Sequence, residues 1–552
     1  MDLLKEIKSF KRTKSSSKKV SILVGSNHSK IIGYVHPAIK TKISDKMKYF
    51  PDGAIFSRAF KEKKWDGYIR MFSTRMQTFP TGFLKDVEKI LIKFKYKVKI
   101  NDNRPIIKFN GDPLEPVLDL MRIKRQRARK YQIRAATKAI DLRYGIINIF
   151  TGGGKTIIIN MIIKAIDEAT DYKLNIKVIT SGISLISQLR EQIRAFQGIY
   201  IGMLGGGVND RGRITVASIN TLAERINSNN KKAIKDIRNT DVLFIDEAHH
   251  SPAKTFKSVI GLANNVALCI GTTATYKRAE TEGDMILKAV TGNIIYKKSI
   301  SSGIKNGWLA KPTIIIFQYS EDFSEKDIDR KYNKLNRHKK KKKESNTSEY
   351  IKSYSVLVAN NEHRNQLISK IIKVLDDYNL SSVTFVQSID QGHLINQKAR
   401  EFGVQQSVFM KGENKVLDRS KNIQDFKKGR LRHIVCTRII NEGLDFPEAN
   451  AGIRAGALKY EGTVIQQIGR ILRKVKPKLA KDIDRKETQR IFWIDICDVN
   501  NRHLASHALE RIGTYESEEE FEIVYVDNID ELKGVIDERI KEVKIISKNG
   551  KI

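Results

Sequence analysis

The stretch GIINIFTGGGKT (145–156) constrains this chain more than any other. An apolar run reads as a buried strand, and three glycines then force a turn. A helical pattern opens at Lys155. Strand, glycine turn and helix start are the context a phosphate-binding loop requires. After Thr151, the first residue of the loop, Gly152, Gly153 and Gly154 let backbone approach an anion without Cβ clashes. Successive N–H groups and the helix N-terminus supply partial positive charge. Lys155 would neutralise β- and γ-phosphates, and Thr156 would offer its hydroxyl to Mg²⁺. The eight-residue pattern fails at its first position, where Ile149 replaces glycine.

A long alternation of strand and helix patterns surrounds this loop. Short apolar runs recur at NIKVIT (175–180), ITVAS (214–218), DVLFID (241–246) and VALCIG (266–271). A second series follows at SVTFV (382–386), RHIVCT (432–437), NAGIRAG (450–456) and RIFWIDI (490–496). Such alternation predicts two α/β units, each a parallel sheet with helices on both faces. Ahead of them, 82–94 has helical apolar spacing, KKWDGYIRMF (63–72) reads as strand, and Tyr96, Val98 and Ile100 alternate with lysines. These predict a small α/β unit over 45–112.

Two more constellations carry chemistry. DEAHH (246–250) ends an apolar strand, where an α/β sheet places ligand groups. Asp246 would hold Mg²⁺ through water, and Glu247 would take a proton from an attacking water. The alternative is a solvated acidic helix start. His249 and His250 point in different directions on any regular element, which argues against a metal site. QQIGRILR (466–473) reads as helix with Gln466, Arg470 and Arg473 on one face. Arginine suits a γ-phosphate because its planar fork stays charged and bonds in two places. A salt-bridged surface helix is the alternative.

Composition narrows the partner. The 552 residues hold 101 Lys+Arg against 62 Asp+Glu, a formal charge of +39. That balance points to a polyanion, most often nucleic acid. Three cysteines lie far apart, so neither a disulfide framework nor structural zinc is expected. No apolar run reaches the ~18 residues of a membrane span. The expectation is a cytoplasmic protein with no membrane partner.

Phosphate loop, Asp-Glu strand end, GTTAT (271–275) and arginine helix together resemble the superfamily 2 helicases, over about residues 120–515. The resemblance implies two RecA-like domains, ATP and Mg²⁺ as cofactors, and nucleic acid lying across both domains. It implies that Tyr131 and Gln132 sense adenine, and that Thr273, Ala274 and Thr275 link ATP state to domain motion. Ser181, Gln188, Ser218, Thr221, Gln387 and Thr437 would touch the nucleic-acid backbone. Gly443 and Asp445 would face the nucleotide, and Arg470 and Arg473 would be arginine fingers. The segments 60–72, 79–100, 202–222 and 495–515 are similar to phage UvsW-type helicases and their XPB-like relatives.

The implied activity is a DNA helicase or translocase acting on single-stranded, duplex and branched DNA: forks, displacement loops and Holliday junctions. Recombination, repair or replication would be its setting. An RNA helicase, a motor subunit of a larger complex, and a basic nucleic-acid-binding scaffold with weak ATPase are the alternatives. The expected architecture is α/β throughout. A basic segment, 1–44, precedes a nucleic-acid-binding accessory domain, 45–112. Motor domains follow at 113–320 and 355–526. A polar segment, 321–354, joins them, and its Lys339–Lys343 run reads as a solvated basic loop or a backbone contact. A charged, helix-like tail, 527–552, ends the chain.

Overall fold

The computed structural model describes residues 18–51, 53–54, 57–123, 127–246, 253–274, 282–335, 349–411, 416–437, 446–457, 461–473 and 491–549. It divides into two compact units: residues 1–149 with 154–297, and Phe150–Gly153 with 298–552.

The first unit opens with β1 (Lys19–Val24), β2 (His28–Ile32), β3 (Lys48–Tyr49), β4 (Ile69–Arg70), β5 (Thr78–Pro80) and β6 (Lys97–Asp102). Four of them form a sheet in the order β5-β2-β1-β6, with β1 parallel to β6 and antiparallel to β2. Its inner face buries Val20, Ile22, Val24, Ile31 and Phe79 against the helices Pro37–Lys46 and Leu84–Lys93. The small domain therefore includes residues from Lys19 onward, which corrects the expected basic segment 1–44. The strand pattern is there, but its alternation is short and sits among lysines. The aromatic stretch 63–72 is also not one strand: only Ile69–Arg70 pairs, with Lys48–Tyr49. Lys63 at φ 55° and Gly67 at φ 83° turn the chain before it.

The first motor sheet comprises β7 (Tyr144–Ile149), β8 (Ile176–Thr180), β9 (Gly202–Gly205), β10 (Val208–Asp210), β11 (Ile214–Ser218), β12 (Val242–Asp246), β13 (Leu268–Thr273) and β14 (Ile294–Lys298). Their order is β10-β9-β11-β8-β12-β13-β7-β14. The strands from β9 to β7 in that row run parallel. Every residue of β8 and β11 is buried, as a strand covered on both faces demands.

The small domain is fused to this motor. Met285 and Ala289, on the motor helix Glu282–Thr291, belong to the same apolar core as Phe83, Val87 and Leu91. Lys288 pairs with Asp86 at 2.9 Å and lies 5.0 Å from the Phe83 ring centre. Ser26 Oγ donates to the Val266 carbonyl at 3.1 Å, and Asn27 bonds the Asn264 side chain at 3.1 Å.

The second unit holds β15 (Pro312–Tyr319), β16 (Ser382–Phe385), β17 (Ser407–Met410), β18 (His433–Cys436), β19 (Ala451–Arg454), β20 (Ile491–Asp498) and β21 (Glu522–Val526). They form one sheet in the order β17-β18-β16-β19-β20-β15-β21, parallel throughout. One expected boundary moves, and two segments expected outside the second motor domain pack into it. β15 lies between β20 and β21, so residues 298–320 belong here and not to the first motor. The segment 321–354 contains the helices Glu325–Leu335 and Glu349–Ser353, and Ile328 is buried with Val356 and Leu357. The Lys339–Lys343 run lies outside the described residues. The charged tail is the helix Ile529–Asn549, whose Leu532 and Ile536 are fully buried in the core. Among the described residues no helix is long and apolar enough to cross a membrane.

Candidate functional site: a phosphate loop, a carboxylate strand end and an arginine helix

β7 delivers the chain to the glycine turn. Gly152 and Gly154 adopt φ +85° and +82°, left-handed values that favour glycine. Gly154 caps the helix Lys155–Thr170 and brings no side chain to its first turn. Sixteen residues of aligned peptide dipoles thus end on Lys155 and Thr156, both half-buried.

The glycines also make room for neighbours. A Cβ on Gly154 would stand 2.3 Å from Gln132 Nε2. Gln132 is buried, and its Oε1 accepts the backbone N–H of Arg129 at 2.8 Å, so its amide is held at the loop by a helix cap. Tyr131 is buried beside it, and its hydroxyl accepts from Arg129 at 3.2 Å. Burial pushes the Tyr131 phenol pKa up.

Asp246 ends β12, half-buried after four fully enclosed residues. Its Oδ1 accepts a hydrogen bond from Thr272 Oγ1 at 2.5 Å. The register places Asp246 opposite Thr272 on one side and Thr180 on the other. Thr272 is fully buried and precedes the Thr-Ala-Thr element, of which Thr273 and Ala274 are described and Thr275 is not. The sequence alone singled out Thr273 to Thr275; the residue that grips the carboxylate is Thr272. Glu247 lies outside the described residues, as do His249 and His250.

In the second unit the helix Glu461–Ile471 carries Gln466, Arg470 and then, just past its end, Arg473. Gln466 is buried, and both arginines are half-buried. The Arg470 carbonyl accepts the Phe446 N–H at 3.0 Å, and Leu309 bridges Arg473 by backbone pairing. Residues Phe150–Gly153 fall in this same unit. A Cβ on Gly152 would stand 2.6 Å from Arg473 Nε, and one on Gly469 would stand 2.7 Å from the Thr151 Cβ. Gly469 is a site residue the sequence reading passed over. Its signal was present: a glycine mid-helix is disfavoured unless another chain segment needs the space. Below the helix, Arg454 Nη1 donates to Gln467 Oε1 at 2.7 Å. Arg511 bonds Asp495, and Tyr515 donates to the same carboxylate at 2.6 Å. Charges buried this way are held because each finds a partner.

The expected nucleic-acid contacts separate by exposure. Gln188 is exposed on the helix Ile183–Gln197, while Ser181, Thr221, Gln387 and Thr437 are half-buried at strand or helix ends. Ser218 departs from the expectation. It is fully buried, and its Oγ caps the helix Ile219–Asn227 by accepting the Thr221 N–H at 3.5 Å. Gly443 and Asp445 lie outside the described residues.

The loop fits a nucleoside triphosphate: two left-handed glycines lead into a helix start that carries Lys155 and Thr156. Thr156 and Asp246 are the hard oxygen donors that a Mg²⁺ ion takes.

Residues 125–278 match the family "Type III restriction enzyme, res subunit", and residues 363–475 match the family "Helicase conserved C-terminal domain". The chain is 24% identical to the DNA 3'-5' translocase XPB2 of Sulfurisphaera tokodaii over 455 residues, which cover 78% of this chain and 93% of that one. Its fold is similar to S. cerevisiae Dbp5 bound to RNA and ADP BeF3, with TM-score 0.51, 14% identity, and coverage of 79% of this chain and 98% of that one. The T4 UvsW crystal structure aligns over 92% of this chain and 99% of that one, with 17% identity and TM-score 0.43. With its two α/β motor sheets and both helicase family matches, the chain is a nucleic-acid-dependent ATPase of helicase type, similar to the XPB-like members of superfamily 2.

Proposed function

We propose that this chain is an ATP-driven DNA translocase and helicase that works on branched DNA: forks, displacement loops and Holliday junctions. The observation that carries the reading is the Thr272–Asp246 bond at 2.5 Å. It ties the carboxylate at the end of β12 to the strand that leads into Thr273 and Ala274, which is how a nucleotide state would be passed to a moving segment. The net charge of +39 and the likeness to XPB2 favour DNA.

In this reading Lys155 neutralises the β- and γ-phosphates, while Gln132 and Tyr131 face the adenine. Thr156 and Asp246 would hold Mg²⁺, which when bound withdraws charge from the phosphate oxygens. Glu247 accepts the proton of the attacking water. Arg470 and Arg473 stabilise charge that develops on the transferred phosphoryl group. Nucleotide-dependent closing and reopening of the motor then moves the protein along DNA through the difference in affinity between the two states.

The test is ATPase activity across single-stranded DNA, duplex, forked DNA and single-stranded RNA, alongside unwinding of forks and junctions. The reading requires stimulation by DNA above RNA and activity on branched substrates. Stimulation by RNA alone would contradict it.

A further inference from the structure

We propose that the outer face of the four-stranded sheet in the small domain holds a DNA duplex by its phosphates. This rests on the functional reading above and goes further, naming a second DNA-binding surface and its substrate.

The registers fix which side chains share that face. Lys19 stands beside Lys97, Ser21 beside Lys99 and Ile32, and Leu23 beside Lys30. All four lysines are exposed, and Leu23 and Ile32 are 38% and 42% exposed. Nothing among the described residues covers this face, whereas the opposite face is closed by two helices. No Asp or Glu stands at any outward position of β1, β2, β5 or β6. A single-sign field of this kind, on a rigid sheet, is complementary to a polyanion.

Two features choose the occupant. Single-strand binders of the sheet type stack bases on aromatic side chains. The outward positions here carry no Phe, Tyr or Trp, so the face is equipped for phosphates and not for bases. The lysines are also spread in two dimensions. Alternate residues along a strand lie roughly 6.6 Å apart and neighbouring strands roughly 4.8 Å apart. A duplex presents two phosphate rows to such a patch, and a single strand presents one. Because the domain shares its core with the helix Glu282–Thr291, a duplex held here is held by the first motor.

The experiment compares two triple variants of the full chain without nucleotide. Lys30→Gln, Lys97→Gln and Lys99→Gln strip the sheet face. Lys85→Gln, Lys89→Gln and Lys93→Gln remove equal charge from the exposed side of the helix Leu84–Lys93, which packs on the other face. Duplex affinity is measured against salt. The sheet variant should lose at least ~10-fold in affinity, with a salt slope shallower by up to ~3. The helix variant should stay close to the parent. ATPase activity stimulated by single-stranded DNA should be the same in all three.

Equal loss in both triples, or in neither, overturns the proposal. So does a parallel loss of single-strand affinity, or a loss confined to anionic vesicles with duplex binding intact. Failure of DNA to stimulate the parent ATPase would sink the functional reading instead. Duplex binding by this face is scored separately from that assay.

Discussion

Gly82→Ala is a one-carbon test of how the small domain is joined to the motor. The position has no left-handed φ, so alanine suffers no backbone strain there. The obstacle is space. A Cβ would stand 1.8 Å from the Lys288 carbonyl oxygen and 2.7 Å from that of Ala289. Heavy atoms settle at about 3.5 Å or more, so the helix Glu282–Thr291 would retreat by roughly 1.7 Å. Both obstructing atoms are backbone, and neither can swing aside as a side chain could. The retreat would open the core that Phe83 shares with Met285 and Ala289, and would lengthen the Asp86–Lys288 pair. Overpacking of this kind destabilises by about 1–3 kcal/mol. Urea unfolding and limited proteolysis read it out: the midpoint should fall, and cleavage between the small domain and the motor should speed up. A variant with the parent's midpoint and cleavage pattern would refute the close approach. The same geometry bears on deletion of residues 1–112, which would strip Met285 and Ala289 of their cover and confound any activity assay on the truncated chain.

Arg473→Ala should leave nucleotide binding largely intact while turnover falls on the order of 10³-fold, as other arginine fingers behave; near-parent turnover would show the finger is misassigned. His433 is buried against Ser382 and Asp376, and burial lowers its pKa from 6.5 to about 4. The unfolded chain therefore takes up this proton first on acidification, so stability is full above about pH 6.5, is lost towards pH 4, and at pH 5 is lower by about 2 kcal/mol. Melting curves of the parent and His433→Gln should differ in slope across that window, and identical slopes would exclude the histidine as the cause. Gly534→Ala meets nothing within 4 Å inside the helix Ile529–Asn549 and should raise stability by up to about 1 kcal/mol; a lowered denaturation midpoint would mean that helix is not formed as described.

The phosphate loop was legible because its signal is local: an apolar strand, three glycines and a helix start are read in one stretch. Asp246 was legible for the same reason, as the last residue of an apolar run. What escaped depends on which strands become neighbours. Thr272 reaches Asp246 only because β13 pairs with β12, a register that no local pattern encodes. Gly469 and Gly82 matter because distant segments pass within a carbon's width of them. β15 was not among the apolar runs singled out, and its sheet is decided by pairing with β20 and β21, so the domain boundary was placed after it and not before. β1 was hidden differently. Val20, Ile22 and Val24 alternate properly, yet the basic run before them masks a short strand. Ser218 shows the opposite error, a motif residue whose hydroxyl is spent on a helix cap.

The central claim is that Lys155 and its loop power movement on DNA. Steady-state ATPase of the parent and Lys155→Ala, each with forked DNA and with single-stranded RNA, tests it most directly. The account predicts that forked DNA stimulates the parent strongly, that RNA does so weakly, and that Lys155→Ala turns over almost no ATP with either while still binding DNA. Equal ATPase in parent and variant, or a parent indifferent to DNA, would contradict it.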